Sequence, residues 1–198
     1  MKNYKQDFAS PGLRLTRMMK EMRIHARAGQ GAITTAALLG TAVFMEGGYA
    51  YAFPSFGAAR MGAPMNAFIR ISDRAIRLRS QIYNPDYVLV VDPTLIRNVD
   101  VLAGVKDNAV VVINSREPLF LNSKSAGIKI IYVPATEIAM RHLGRPLGNT
   151  ALLGAFAAVS ETVKLESLKE VVKRRFPGEI AEKNIAALSE GWEAACCG

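Results

Sequence analysis

A chain of 198 residues has room for one α/β domain, or a compact domain with appendages, which excludes a multidomain machine. Half of its residues are hydrophobic and 21% are charged, the composition of a chain with a real core and not of a disordered one. Of the net charge of +8, five units gather at the amino end, where Lys2, Lys5, Arg14, Arg17, Lys20, Arg23 and Arg27 face only Asp7 and Glu21. Such an excess suits any polyanion; without an aromatic-interleaved basic stripe, helix-turn-helix spacing or zinc-finger cysteines, it gives no nucleic-acid reader.

In chain order, residues 1–20 read as a basic arm, because Ser10, Pro11 and Gly12 break the chain where a secretory signal needs an apolar run. Residues 22–26 predict a short strand, Arg27-Ala28-Gly29-Gln30-Gly31 a tight turn, and residues 32–46 a helix stopped by Gly47 and Gly48. Residues 51–65 mix two Pro, two Gly, three aromatics and an Arg without periodicity, and read as an ordered loop or covering flap. Residues 67–71 and 75–78 predict a small β-hairpin insertion that turns at Ser72, Asp73 and Arg74 and carries Arg70, Arg77 and Arg79 on one face.

Residues 87–91, 109–113 and 128–133 are continuous Val- and Ile-rich runs bounded by Asp92-Pro93, Asn114-Ser115 and Pro134, the pattern of strands buried on both faces. With crossover-length connections between them, they predict an α/β fold, Rossmann-like and doubly wound around a mainly parallel sheet. Helices are expected over residues 136–143, 150–159 and 168–176, the last capped by Ser167 and ended by Pro177-Gly178. A terminal helix over residues 181–192 then precedes a flexible tail, 193–198. The apolar runs 36–45 and 151–159 are too short to span a bilayer of roughly 30 Å. Cys196 and Cys197, adjacent at the carboxyl end, neither staple the fold nor supply the four thiolates of an iron–sulfur cluster. A cytoplasmic chain is expected.

The glycine turn is the first ligand candidate, since amides freed at a helix start attract phosphate oxygens. It lacks the G-x-G-x-x-G of a dinucleotide site, with Ala26 and Ala28 where glycines would begin, and the alternative is that Gly29 and Gly31 only permit a sharp turn. His25 and His142 have no partner at metal spacing, and no metal site is expected. No catalytic residue is expected either. Asp92 reads as a cap of the Pro93-Thr94 turn. Arg60, flanked by Gly57 and Gly62, suits a phosphate or carboxylate, while Phe53 and Phe56 call for burial against a neighbour.

The turn 27–31, the Ala52-Phe53-Pro54-Ser55-Phe56-Gly57 segment, Arg60 with Gly62-Ala63-Pro64, Arg70-Ile71-Ser72-Asp73, Ile82-Tyr83-Asn84-Pro85-Asp86, Asp92-Pro93-Thr94, Asn149-Thr150-Ala151-Leu152-Leu153-Gly154 and Asn184-Ile185-Ala186-Ala187 occur in this order. Over about residues 21–192 the chain resembles the gamma subunit, or gamma domain, of the 2-oxoacid:ferredoxin oxidoreductase family, whose members act on pyruvate, ketoisovalerate, 2-oxoglutarate or aryl-glyoxylate substrates. The resemblance implies a non-catalytic gamma domain that helps bind coenzyme A. It places thiamine diphosphate with Mg in alpha and beta subunits, and the iron–sulfur clusters in a delta subunit. The reaction implied is oxidative decarboxylation of a 2-oxoacid to an acyl-CoA.

Carried over, the matching ligand or interface positions are Gly29, Gln30, Gly31, Ser55, Arg60, Gly62 and Asn149. The chain departs from the family at Ala26 and Ala28, where glycines are usual, and at Met61, where a second Arg is common. Two other readings stand beside this one: a free-standing nucleotide-binding α/β enzyme, and a basic adaptor.

Overall fold

The computed structural model describes residues 19–56, 61–121 and 125–197, so the expected arm lies outside the described residues up to position 18. Its centre is a six-stranded sheet in the order β2-β3-β1-β4-β5-β6. Here β1 is Lys20–Arg27, β2 Tyr49–Phe56, β3 Pro64–Ser72, β4 Tyr87–Val90, β5 Val110–Asn114 and β6 Lys129–Val133. The pairs β1·β4, β4·β5 and β5·β6 are parallel, while β2 and β3 form an antiparallel arm on the other side of β1. The α/β fold with a mainly parallel core is therefore present. The connections diverge on either side of β1, which puts a topological switch point between β1 and β4.

The hairpin insertion lies one element earlier than the sequence predicts. Residues 75–78 form no strand, and the region read as a flap supplies β2 and the start of β3. The alternation was present but disguised. Tyr51 and Phe53 lie on one face, while Ala52 and Pro54, small or strand-averse, occupy the other. Tyr51 stacks on Phe53 at 5.1 Å between centroids, and Phe53 packs on Phe68 of β3 at 5.2 Å. The carbonyls of Leu78, Ser80 and Gln81 accept from the guanidinium of Arg70, which replaces the ladder a second hairpin strand would have provided. Arg70 is 1% exposed and also ion-pairs with Glu21 at 2.9 Å.

Five helices follow: α1 Ala32–Met45, α2 Ala135–Leu143, α3 Asn149–Ser160, α4 Leu165–Arg175 and α5 Gly178–Cys196; α2, α4 and α5 carry an apolar face, whereas α1 and α3 are apolar on most sides and α3 is buried along most of its length. All five contribute to one buried cluster with Met22, Ile24 and Ala26 of β1. The opposite face of β4 and β5 is covered by a 3-10 turn, Pro93–Arg97, and irregular connections bearing Val101, Leu102 and Val105. Loops thus make the second wrap around the sheet.

Two helix ends differ from expectation. Lys164, not Ser167, precedes α4, and its N–H donates to Glu46 Oε1 at 2.8 Å, so the cap comes from the end of α1. Pro177 sets the start of α5, which runs on through Cys196; the expected tail from residue 193 is instead the last turn of a helix.

Candidate functional site

The local sequence at the end of β1 dictates a sharp reversal. Gly29 (φ 98°) and Gly31 (φ 81°) both adopt the left-handed conformation, and Gly31 caps α1 without a side-chain hydrogen bond. A Cβ on Gly31 would stand 2.7 Å from Asn149 Nδ2, so glycine here also makes room for the start of α3. Asn149, 7% exposed, donates to Thr35 Oγ1 at 3.3 Å, and Thr35 donates back to the Gly31 carbonyl at 3.1 Å. A short polar chain thus ties α3 to the glycine turn.

Beside this junction lies a cavity of about 490 Å³ lined by Gly29, Gly31, Thr34, Arg145, Asn149 and Lys183, among others. Its walls are the starts of α1 and α3, the α2–α3 connection and the first turns of α5. Arg145 is exposed and makes no ion pair among the described residues, whereas Lys183 pairs with Glu179 at 2.7 Å. Thr150 Oγ1 donates to Asn184 Oδ1 at 3.0 Å and fixes the α3–α5 wall. Two uncapped helix starts, a free guanidinium and an ammonium make the rim suited to phosphate oxygens.

Side-chain bonds cross the crevice at the switch point. Arg27 Nε meets Asp92 Oδ2 at 3.0 Å, and Gln30 Nε2 donates to the same oxygen at 2.9 Å. Asp92 caps the 3-10 turn as expected, accepting from Thr94 N and Oγ1 at 2.9 and 2.6 Å. Burial works to raise its pKa, but the hydrogen bonds from Thr94 and Gln30 and the charge of Arg27 outweigh that and hold it below the usual carboxylate range.

Of the sequence-derived positions, Gly29, Gly31 and Asn149 line the cavity. Gln30 braces the turn from behind. Gly62 is tied to it, its N–H donating to the Ala28 carbonyl at 3.1 Å and its carbonyl accepting from Arg27 at 3.2 Å. Ser55 is not brought to this cavity: it lies on the far face of the sheet, accepts from Gln81 Nε2 at 3.1 Å and lines a smaller cavity of about 230 Å³ with His25 and Asn66. Its place in β2 is the reason, since strand alternation turns it toward the His25 face. Arg60 lies outside the described residues.

Sequence reasoning missed Arg145 and Lys183. Neither stands in a local motif, and only the return of α2 and α5 to the start of α1 brings them together. Among the described residues, no three His, Cys, Asp or Glu side chains gather as a metal-ligand set.

The chain is thus a mixed α/β domain with a cavity beside its glycine turn, lined in part by Gly29, Gly31, Arg145, Asn149 and Lys183. Residues 21–194 match the family model for pyruvate ferredoxin/flavodoxin oxidoreductase. The chain is 48% identical over 178 residues to the pyruvate/ketoisovalerate oxidoreductases common subunit gamma of Pyrococcus furiosus, covering 88% of this chain and 96% of that one. It is 47% identical over 175 residues to pyruvate synthase subunit PorC of Methanothermobacter thermautotrophicus, covering 88% and 95%. The crystal structure of pyruvate oxidoreductase subunit PORC from Thermotoga maritima superposes with a TM-score of 0.78 at 37% identity, over 88% of this chain and 96% of that one. The chain belongs to the pyruvate ferredoxin/flavodoxin oxidoreductase family, as a gamma-type subunit of a 2-oxoacid oxidoreductase.

Proposed function

We propose that this chain is the non-catalytic gamma subunit of a cytoplasmic, thiamine-diphosphate-dependent 2-oxoacid oxidoreductase, and that its glycine-turn cavity holds the phosphate-bearing end of coenzyme A. The cavity carries the reading: glycines, helix-start amides, Arg145 and Lys183 form a donor set matched to phosphate oxygens. Its volume suits one end of such a ligand, leaving the thiol end to reach chemistry held elsewhere. In this reading, thiamine diphosphate with Mg and the iron–sulfur clusters reside in alpha, beta and delta partners. Two thiols on adjacent residues are too few for a four-thiolate cluster. The chain's own work is then to bind and orient the acyl acceptor and to complete the assembly, while the thiamine cofactor supplies the carbanion chemistry.

A free-standing dinucleotide enzyme is disfavoured, because Arg27, Gln30 and Asp92, at the crevice between β1 and β4, are bonded to one another. The test uses the assembled enzyme purified from its source. Replacing Arg145 and Lys183 together by serine should raise the apparent KM for coenzyme A by about ten-fold or more, one charge-assisted contact or better, with kcat at saturation nearly unchanged. An unchanged KM in an intact complex overturns the assignment of the cavity.

A further inference from the structure

We propose that Gln30 is a positioning residue, which fixes the amide-lined start of α1 by bridging the glycine turn to Asp92 and touches no ligand itself. For the identity of the ligand, this rests on the coenzyme A reading above. Both ends of the Gln30 side-chain amide are committed inside the protein. Oε1 accepts from the Arg27 backbone N–H at 2.7 Å, and Nε2 donates to Asp92 Oδ2 at 2.9 Å. The Gln30 backbone N–H in turn donates to the Arg27 carbonyl at 3.1 Å, so the two residues are joined twice, once through the main chain and once through the side chain.

Flanking Gln30 are Gly29 and Gly31, the two residues of the turn with the least conformational preference of their own. The direction in which α1 starts is therefore set by what grips the residue between them. Asp92 is a firm anchor, because Thr94 donates to it twice and Arg27 Nε pairs with it at 3.0 Å. Arg27 lies on β1, Gln30 in the turn and Asp92 just beyond β4, so the clamp spans the switch point. Only an uncharged amide offers the acceptor that Arg27 needs and the donor that Asp92 needs. A carboxylate would set charge against charge, and an apolar side chain would leave both partners unmet.

The experiment compares two variants of the assembled enzyme with the unaltered one: Gln30→Glu, which keeps an acceptor for Arg27 but faces Asp92 with a second negative charge, and Gln30→Met, which meets neither partner. Two readings are taken: hydrogen exchange of the peptide covering residues 27–34, and the split between KM for coenzyme A and kcat. Both variants should speed exchange there by about ten-fold and raise KM by a similar factor, with kcat at saturation within about two-fold. Unaltered exchange in both variants, or a kcat that falls as far as KM rises, overturns the positioning role. Faster exchange with a constant KM upholds the clamp and removes coenzyme A as the ligand of the turn.

Discussion

His25 is 3% exposed on β1 and accepts a hydrogen bond from Arg23 Nε at 3.0 Å. Burial, reinforced by the Arg23 guanidinium, pushes its pKa down to about 3, so the imidazole stays neutral and serves as a fixed acceptor. In the unfolded chain the same group takes a proton near its ordinary value of 6.5. Between those limits the unfolded state binds more protons, and stability falls as the pH drops, by at most about 1.4 kcal/mol per pH unit from this group. Asp92 acts in the same sense at lower pH, because its depressed pKa means that its stabilisation is lost as the pH falls through the folded value. Melting temperatures measured from pH 7 down to pH 4 should therefore decline, and more gently in His25→Gln; a parallel decline would separate His25 from the effect. The sequence offered His25 no partner at metal spacing, and its pairing with Arg23, two residues along the same strand, was not legible. That contact depends on both side chains lying under the 95–103 connection. The glycine turn was legible because left-handed backbone leaves its mark in residue type; the cavity's cations were not, since their convergence is a property of the packed helices.

Between elements, the closest approach is that of α3 and α5. A Cβ on Gly154 would stand 1.9 Å from the Leu188 carbonyl oxygen, and one on Gly191 would stand 2.0 Å from that of Ala151, so the two helices touch backbone to backbone. Gly154→Ala must force them apart, at a cost of about 1–3 kcal/mol or more as overpacking does, and should be read by urea denaturation. Both helices also wall the cavity, so if the proposed coenzyme A site is there the same variant should also raise KM for coenzyme A. Arg70 is the second device at this scale. Its removal leaves Glu21 without a buried partner and unties residues 78–81, so Arg70→Met should lose about 3 kcal/mol. A loss below about 0.5 kcal/mol would show that the strap is held by other contacts. The parallel strands and the helices were legible because continuous Val/Ile runs, and stretches of good helix formers bounded by Gly and Pro, are strong signals. The arm β2–β3 was misplaced because Ala and Pro fill the positions where a strand usually shows its branched side chains, while the Ala75–Leu78 pattern imitated one.

For the molecule as a whole, the unequal covering of the sheet is the governing fact. One face lies beneath five helices, and the other beneath a 3-10 turn and loops. Hydrogen exchange over the whole chain should protect α3 and α5 longest and release residues 93–108 first, since loops with few backbone ladders open at low free energy. Uniform protection of both sides would contradict this. The outer strand of the antiparallel arm adds a last consequence. It is eight residues long and ends the sheet, with Pro54 exposed in it and unable to donate to a neighbouring chain. Copies of this polypeptide released from the ribosome before their partners arrive thus carry a built-in deterrent against stacking edge to edge into aggregates.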